Sequence, residues 1–116
     1  MTKTPEQLEL ENKMAYCYGT EQYYRSVLLP FLYTDGVKTF AENAGGGAYW
    51  FLSECARVVK GLTDFASIVL KVKDGKADIM VNDENKKHIA YTDCPDGDWE
   101  FFYEPESKVL LWNGEY

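Results

Sequence analysis

"SIVLKVKDGKADIMV", residues 67–81, decides the class of this fold. Its second half sets Ala77, Ile79 and Val81 against Asp78, Met80 and Asn82, a period of two that belongs to a strand and not to a helix. Asp74-Gly75 in the middle is the strongest short hairpin signal, because a two-residue turn needs positive φ at both central residues. Downstream the pattern continues. "NDENKK" reads as a turn into a third strand from His88 to Thr92, "CPDG" as a turn into a fourth, and "EPESK" as a turn into a last strand, "VLLWN".

Upstream of Phe65 the period is helical. Thr4 reads as an N-cap, with Pro5 at the first helical position and Gln7 closing a capping box. Leu10, Met14 and Cys17 follow at helical spacing, and Gly19 stops the run. Thr20 reads as the cap of a short second helix through Tyr24, Val27 and Leu28, ended by Pro30. "YTDGVKTFAENAG" is a third helix, capped by Thr34 or Asp35, with Val37, Phe40, Ala41 and Ala44 as its buried stripe and Gly45 at its end. "AYWFLSECARVVKG" is apolar on most sides and reads as a central helix lying on the sheet. The expected fold is α+β: N-terminal helices, then a five-stranded antiparallel meander packed on the central helix. At 116 residues it forms a single domain, helical over 1–62 and β over 63–116.

A 46% hydrophobic chain is globular, and no apolar run reaches the ~18 residues of a membrane span. "MTKTPEQLELENK" lacks the apolar core of a signal peptide, so the expected compartment is the cytoplasm, with no membrane contact. Cys17, Cys55 and Cys94 are odd in number and widely spaced, which suggests neither disulfides nor zinc. Net charge is −7, and its distribution is uneven. Residues 1–92 carry 12 acids and 11 bases, whereas residues 93–116 carry 7 acids and Lys108 alone. Such a field repels nucleic acid and attracts basic surfaces, so direct nucleic-acid binding is not expected.

The acids are also patterned. In "DGDWEFFYEPE", residues 96–106, Trp99, Phe101, Tyr103 and Pro105 share one strand face, and Asp96, Asp98, Glu100, Phe102, Glu104 and Glu106 share the other. Asp93 precedes this stretch. Acids on an open face ordinarily serve solubility. Here, however, they repel one another at i and i+2 and surround an exposed ring, the composition of a contact site. Alternate side chains on a strand stand roughly 6.6–7 Å apart, near the spacing of phosphates along a nucleic-acid strand. The ladder therefore reads as a mimic of a phosphate strand, with Phe102 in the place of a base. Its candidate partner-binding residues are Asp93, Asp96, Asp98, Glu100, Phe102, Glu104 and Glu106.

Other chemistry has weaker support. Cys94, the lone His88 and Asp93 could be drawn as a nucleophile arrangement, but no signature surrounds them, and the expectation is a non-enzyme without metal or cofactor. "AENAGGGAYW" places three glycines before a helix, yet no strand precedes them and no Lys-Ser/Thr follows, so a helix–helix turn is the simpler reading. Lys71, Lys73, Lys76, Lys86 and Lys87 could line a basic edge, where lysines commonly block edge pairing.

The block Tyr16–Glu54 resembles a family of small uncharacterised proteins carried by phages and other mobile elements. The matching pieces are Gly19-Thr20-Glu21, Tyr33-Thr34-Asp35-Gly36-Val37, Ala41-Glu42, Ala44-Gly45 and Ala48-Tyr49-Trp50, with Gly46-Gly47 as extra residues. The resemblance implies no chemistry. Its context implies host-defence antagonism of the anti-CRISPR type, in which a monomer or weak homodimer inhibits a bacterial defence effector such as a CRISPR surveillance complex subunit. The alternatives are a nucleotide sponge, with Tyr23, Tyr24, Tyr49 and Trp50 stacking a base near the "GGG" turn, and a structural or adaptor protein of a mobile element.

Overall fold

A computed structural model describes residues 4–15, 23–25 and 29–115. Helix α1 (Pro5–Ala15) begins as its sequence requires: the Gln7 amide donates to Thr4 Oγ1 at 3.1 Å, and Leu10 and Met14 are buried. Cys17 and Gly19, and Thr20, Val27 and Leu28 of the expected second helix, lie outside the described residues. Tyr24 itself is in a strand, β1 (Tyr23–Arg25), which pairs antiparallel with β2 (Leu32–Thr34). In the strand, the Tyr24 ring instead stacks on Tyr33 at 5.7 Å and lies under the Lys38 ammonium at 4.9 Å.

Helices α2 (Asp35–Asn43) and α3 (Tyr49–Val58) follow, then β3 (Ala66–Lys73), β4 (Lys76–Val81), β5 (Glu84–Ile89), β6 (Gly97–Glu104) and β7 (Val109–Trp112). The sheet has seven strands in the order β1-β2-β7-β6-β3-β4-β5, so the expected five-stranded meander is corrected in two respects. First, residues 1–62 supply two strands as well as helices, and β2 joins β7 as a parallel pair through Leu32↔Val109 and Tyr33↔Leu110. Second, β6 does not follow β5 across the sheet but returns to pair with β3. The reason lies in burial. β3 is apolar enough to be flanked on both sides, whereas β5, with Glu84 through His88 all exposed, suits an edge.

The Asp74-Gly75 turn is as expected, with φ of 53° and 79°. Asn82-Asp83 makes a second two-residue turn of the same kind, at φ 50° and 68°. The third strand therefore starts at Glu84 and ends at Ile89, earlier than the expected His88–Thr92. Asn and Asp tolerate this left-handed backbone because their short polar side chains bond locally.

The core lies between the helices and one face of the sheet. Phe40 of α2 touches Phe51 of α3 (5.8 Å) and Trp99 (5.7 Å) and Phe101 (5.0 Å) of β6. Covering of the sheet is thus shared between α2 and α3, with α3 burying Phe51, Leu52 and Cys55 and leaving Tyr49 exposed. Between these helices Gly45 takes φ +60°, as a helix-ending glycine does.

The chain end closes the fold. A 3₁₀ turn (Asn113–Glu115) places the Glu115 carboxylate at the N-terminus of α2, where it accepts from the Thr34 hydroxyl, the Gly36 amide (3.1 Å) and the Trp112 amide (3.0 Å). Thr34 stands at the N-cap but does not cap the helix with its own side chain. Glu115 does so instead, and its negative charge suits the helix dipole.

Two stability predictions follow from this closure. A helix glycine replaced by alanine ordinarily gains about 1 kcal/mol, but a Cβ at Gly36 would stand 2.5 Å from Trp112 Cβ and from Glu115 Oε1. Overpacking of that kind costs ~1–3 kcal/mol, so Gly36→Ala should lower the urea midpoint. Glu115→Ala should cost about 2 kcal/mol through the lost charged hydrogen bonds, and Glu115→Gln should fall between it and the native chain. Urea unfolding measures all three; a stabilised Gly36→Ala would disprove the close approach.

Candidate functional site

The register of β6 sorts its side chains as the alternation requires. Trp99, Phe101 and Tyr103 are buried against the helices, and Asp98, Glu100, Phe102 and Glu104 stand on the opposite face, none of them buried. That face is the candidate site. Next to β6 it carries Val69 and Ser67 of β3 on one side, and Leu111 and Val109 of β7 on the other. Phe102 is not alone on it: Phe65 stacks on the ring at 5.3 Å and is itself 43% exposed. Beyond β7 a shallow depression of about 280 Å³ is bounded by Tyr23, Leu32, Glu104 and Leu111. The face is therefore a mixed surface, with an aromatic pair and aliphatic side chains beside the acids.

The acids differ in how far they are already engaged. Asp98 lies in register with Lys71, which is in turn opposite Asp78, which is opposite His88. Acid, base, acid and histidine thus line up across four strands. The His88 ring nitrogen and the Asp78 carboxylate are 2.8 Å apart. This hydrogen bond, reinforced by one from Asn85, holds the Asp78 carboxyl below its ordinary value. Glu100 accepts from the Asn113 amide at 3.1 Å and from the Ser67 hydroxyl at 3.4 Å. Glu104 and Glu106 make no hydrogen bond or ion pair among the described residues and are exposed.

Asp93 and Asp96 lie outside the ladder. Asp93 accepts from the Gly46 amide at 2.7 Å, and Asp96 from the Asp74 amide at 3.1 Å. Each fastens the loop before β6 to another loop, one at the helix layer and one at the hairpin tip. Of the seven residues chosen from sequence, Asp98, Glu100, Phe102 and Glu104 share one face, Glu106 extends it into the turn, and Asp93 and Asp96 serve the loop. Phe65 is the residue that sequence reading missed. It lies before the strand run, and only the three-dimensional approach to Phe102 identifies it.

The remaining candidates do not converge. Cys94 is buried, and burial with the nearby Asp93 and Asp96 charges pushes its thiol up to about 12, away from the thiolate that a nucleophile requires. His88 is engaged with Asp78 on the open face, and Asp93 with Gly46, so the three form no relay. In the "GGG" turn the Gly46 amide that could have met an anion is taken by Asp93. Tyr23 is exposed on the open face and Trp50 meets Phe51 at 6.2 Å, whereas Tyr24 stacks on Tyr33 and shares the Lys38 ammonium with Tyr49, so the four rings do not form one group. Lys71 is in register with both Asp98 and Asp78, so edge blocking does not account for it, whereas Lys73 and Lys76 flank the hairpin turn beyond the last residues paired with β6 and β5. Lys86, on the true edge, pairs with Glu84 at 3.2 Å.

Among the described residues, no group of three or more His, Cys, Asp or Glu is arranged to hold a metal, and no helix is long and apolar enough to cross a membrane. No curated protein and no solved structure matches the chain. A family model matches residues 8–116, nearly the whole length. The chain belongs to that family, which is described as a family of unknown function, DUF6876.

Proposed function

We propose that this protein is a non-catalytic binder that lays the open face of its sheet on a basic, DNA-handling surface of another protein, as an inhibitor of a bacterial defence complex of the anti-CRISPR type carried by a phage or mobile element. The observation that carries the reading is that Glu100 and Glu104 share a strand face with the stacked Phe65–Phe102 pair, with Glu106 in the turn that follows. An aromatic anchor bordered by charge has the composition of an energetically productive contact. The net −6 of residues 93–116 supplies the steering field. The reading differs from a full phosphate mimic in one respect: the charges without a partner of their own among the described residues are Glu104 and Glu106 at the β6–β7 end, because Asp93, Asp96 and Glu100 accept hydrogen bonds and Asp98 stands opposite Lys71.

Glu104 and Glu106 are the residues to reverse, since neither supports the fold through a bond. Glu104→Lys with Glu106→Lys should leave the melting temperature nearly unchanged and slow association with the captured partner about ten-fold or more. Raising salt should mimic the effect, because the Debye length falls from ~30 Å at 0.01 M to ~8 Å at 0.15 M. Surface plasmon resonance on a partner captured from a bacterial lysate measures both. An association rate unmoved by the reversal and by salt would reduce the acid row to a solvated face.

Phe102→Ala should act on the other rate constant. Truncating a central aromatic anchor costs ~1–4 kcal/mol of binding, so dissociation should quicken at least several-fold while association stays the same. Duplex DNA should compete with the protein for its partner, and the protein alone should not bind DNA.

A further inference from the structure

The shallow depression beyond β7 has the size and lining of a receptacle for one side chain. At about 280 Å³ it falls just short of the ~300 Å³ at which small-ligand sites begin. Leu32 and Val109, a register pair of the parallel β2–β7 ladder, form its floor together with Leu111. Tyr23 of β1 stands on one side, and Glu104 of β6 with Ser107 of the following turn stands on the other. Because β2 and β7 lie between β1 and β6, the two walls are about 14 Å apart, backbone to backbone.

Both walls carry chemistry that the fold does not use. The Tyr23 ring is 59% exposed, and the Glu104 carboxylate and Ser107 hydroxyl make no bond among the described residues. Neither Arg25, which is opposite Leu32, nor Lys108 lines the depression. On the other face of the same strand the arrangement is complete. There the Lys38 ammonium lies 4.9 Å from the centre of the Tyr24 ring and 3.4 Å from the Glu42 carboxylate. The open face repeats the tyrosine and the carboxylate, with no cation among the described lining residues.

We infer that this depression receives an arginine side chain of the partner protein. Its stem lies on Leu32, Val109 and Leu111, its planar guanidinium faces the Tyr23 ring, and its N–H groups donate to the Glu104 carboxylate and the Ser107 hydroxyl oxygen. Lysine suits the space less, because its compact, strongly hydrated ammonium has no flat face to stack and no fork to match a carboxylate. Arginine is also a residue that DNA-handling surfaces present to phosphates. The inference rests on the partner reading for the source of the arginine, and it names what that basic surface must offer.

The test needs no partner. Capped Gly-Arg-Gly is titrated into the full chain and the amide shifts are followed by two-dimensional NMR. Saturable shifts are expected at Tyr23, Leu32, Glu104 and Leu111, with arginine bound about five-fold or more tightly than lysine in the same peptide. Citrulline, which keeps the shape without the charge, should not saturate. Glu104→Gln should weaken Gly-Arg-Gly about ten-fold. Tyr23→Leu should bring it down to the level of lysine, and Tyr23→Phe should keep it. Asp83→Asn, the same charge change at the β4–β5 turn across the sheet, should leave it within about two-fold. The site is overturned by an absence of saturable shifts, by lysine or citrulline equal to arginine, by equal losses in Glu104→Gln and Asp83→Asn, or by Gly-Leu-Gly binding as tightly as Gly-Arg-Gly. None of these outcomes decides whether Glu104→Lys with Glu106→Lys slows association with a captured partner, so the two readings fail separately.

Discussion

The antiparallel pairing of β3 with β6, running from Ala66↔Tyr103 to Val72↔Gly97, sets which side chains meet the helices and which meet water. A slip of one residue would turn Trp99, Phe101 and Tyr103 outward and drive Asp98, Glu100 and Glu104 into the core. That alternative is excluded by the cost of burying carboxylates, which is many times the stability of a small domain. Phe101, fully buried against Phe40, Phe51 and Trp112, locks the register from the core side. The acid row is thus the complement of a core strand. Packing demands that those positions be polar, but it does not demand that Asp98, Glu100 and Glu104 all be acidic. That surplus is what a functional reading has to explain.

The second constraint joins the two ends of the chain. β7 pairs with β6 on one side and with β2 on the other, so the N-terminal strands reach the sheet only through the last one. Glu115 then fixes the start of α2, and α2 carries Phe40 onto β6. The aromatic core and the Glu115 side-chain carboxylate therefore report on the same folding event. Gly36 is the point where they meet, since only a residue without Cβ lets Trp112 and Glu115 come so close.

Local signals in the sequence were reliable where one turn or one cap decided the outcome. Thr4-Pro5, Gly45 and Asp74-Gly75 each act within a few residues, and each acts as read. The two-residue turn even makes Lys71↔Asp78 and Lys73↔Lys76 derivable, because it dictates register outward from the tip. What stayed hidden depends on distant partners. Nothing near Tyr23 announces a strand, because its pairing with β2 matters only once β2 is seated on β7. The return of β6 to β3 is likewise a choice between two neighbours, settled by the exposed polar side chains of β5. At the site, alternation placed Asp98, Glu100, Phe102 and Glu104 on one face, but it could not show that Asp93 and Asp96 hold loop amides or that Phe65 covers Phe102.

The open face also has two electrical ends. Asp98 stands beside Lys71 near the hairpin tip, and Glu104 is six residues further along the same strand, at the β6–β7 turn. At ~3.3–3.4 Å per residue that separation is about 20 Å, more than twice the ~8 Å Debye length at 0.15 M salt. The hairpin tip, where Lys71, Lys73 and Lys76 are mixed with Asp74, Asp78, Asp96 and Asp98, therefore does not neutralise the acidic end. Between them lie Val69, Met80, Phe102 and Leu111, side chains that gain from contact with another surface and are indifferent to salt. A partner recognised by both charge and packing would be steered by the acidic end and retained by this apolar band.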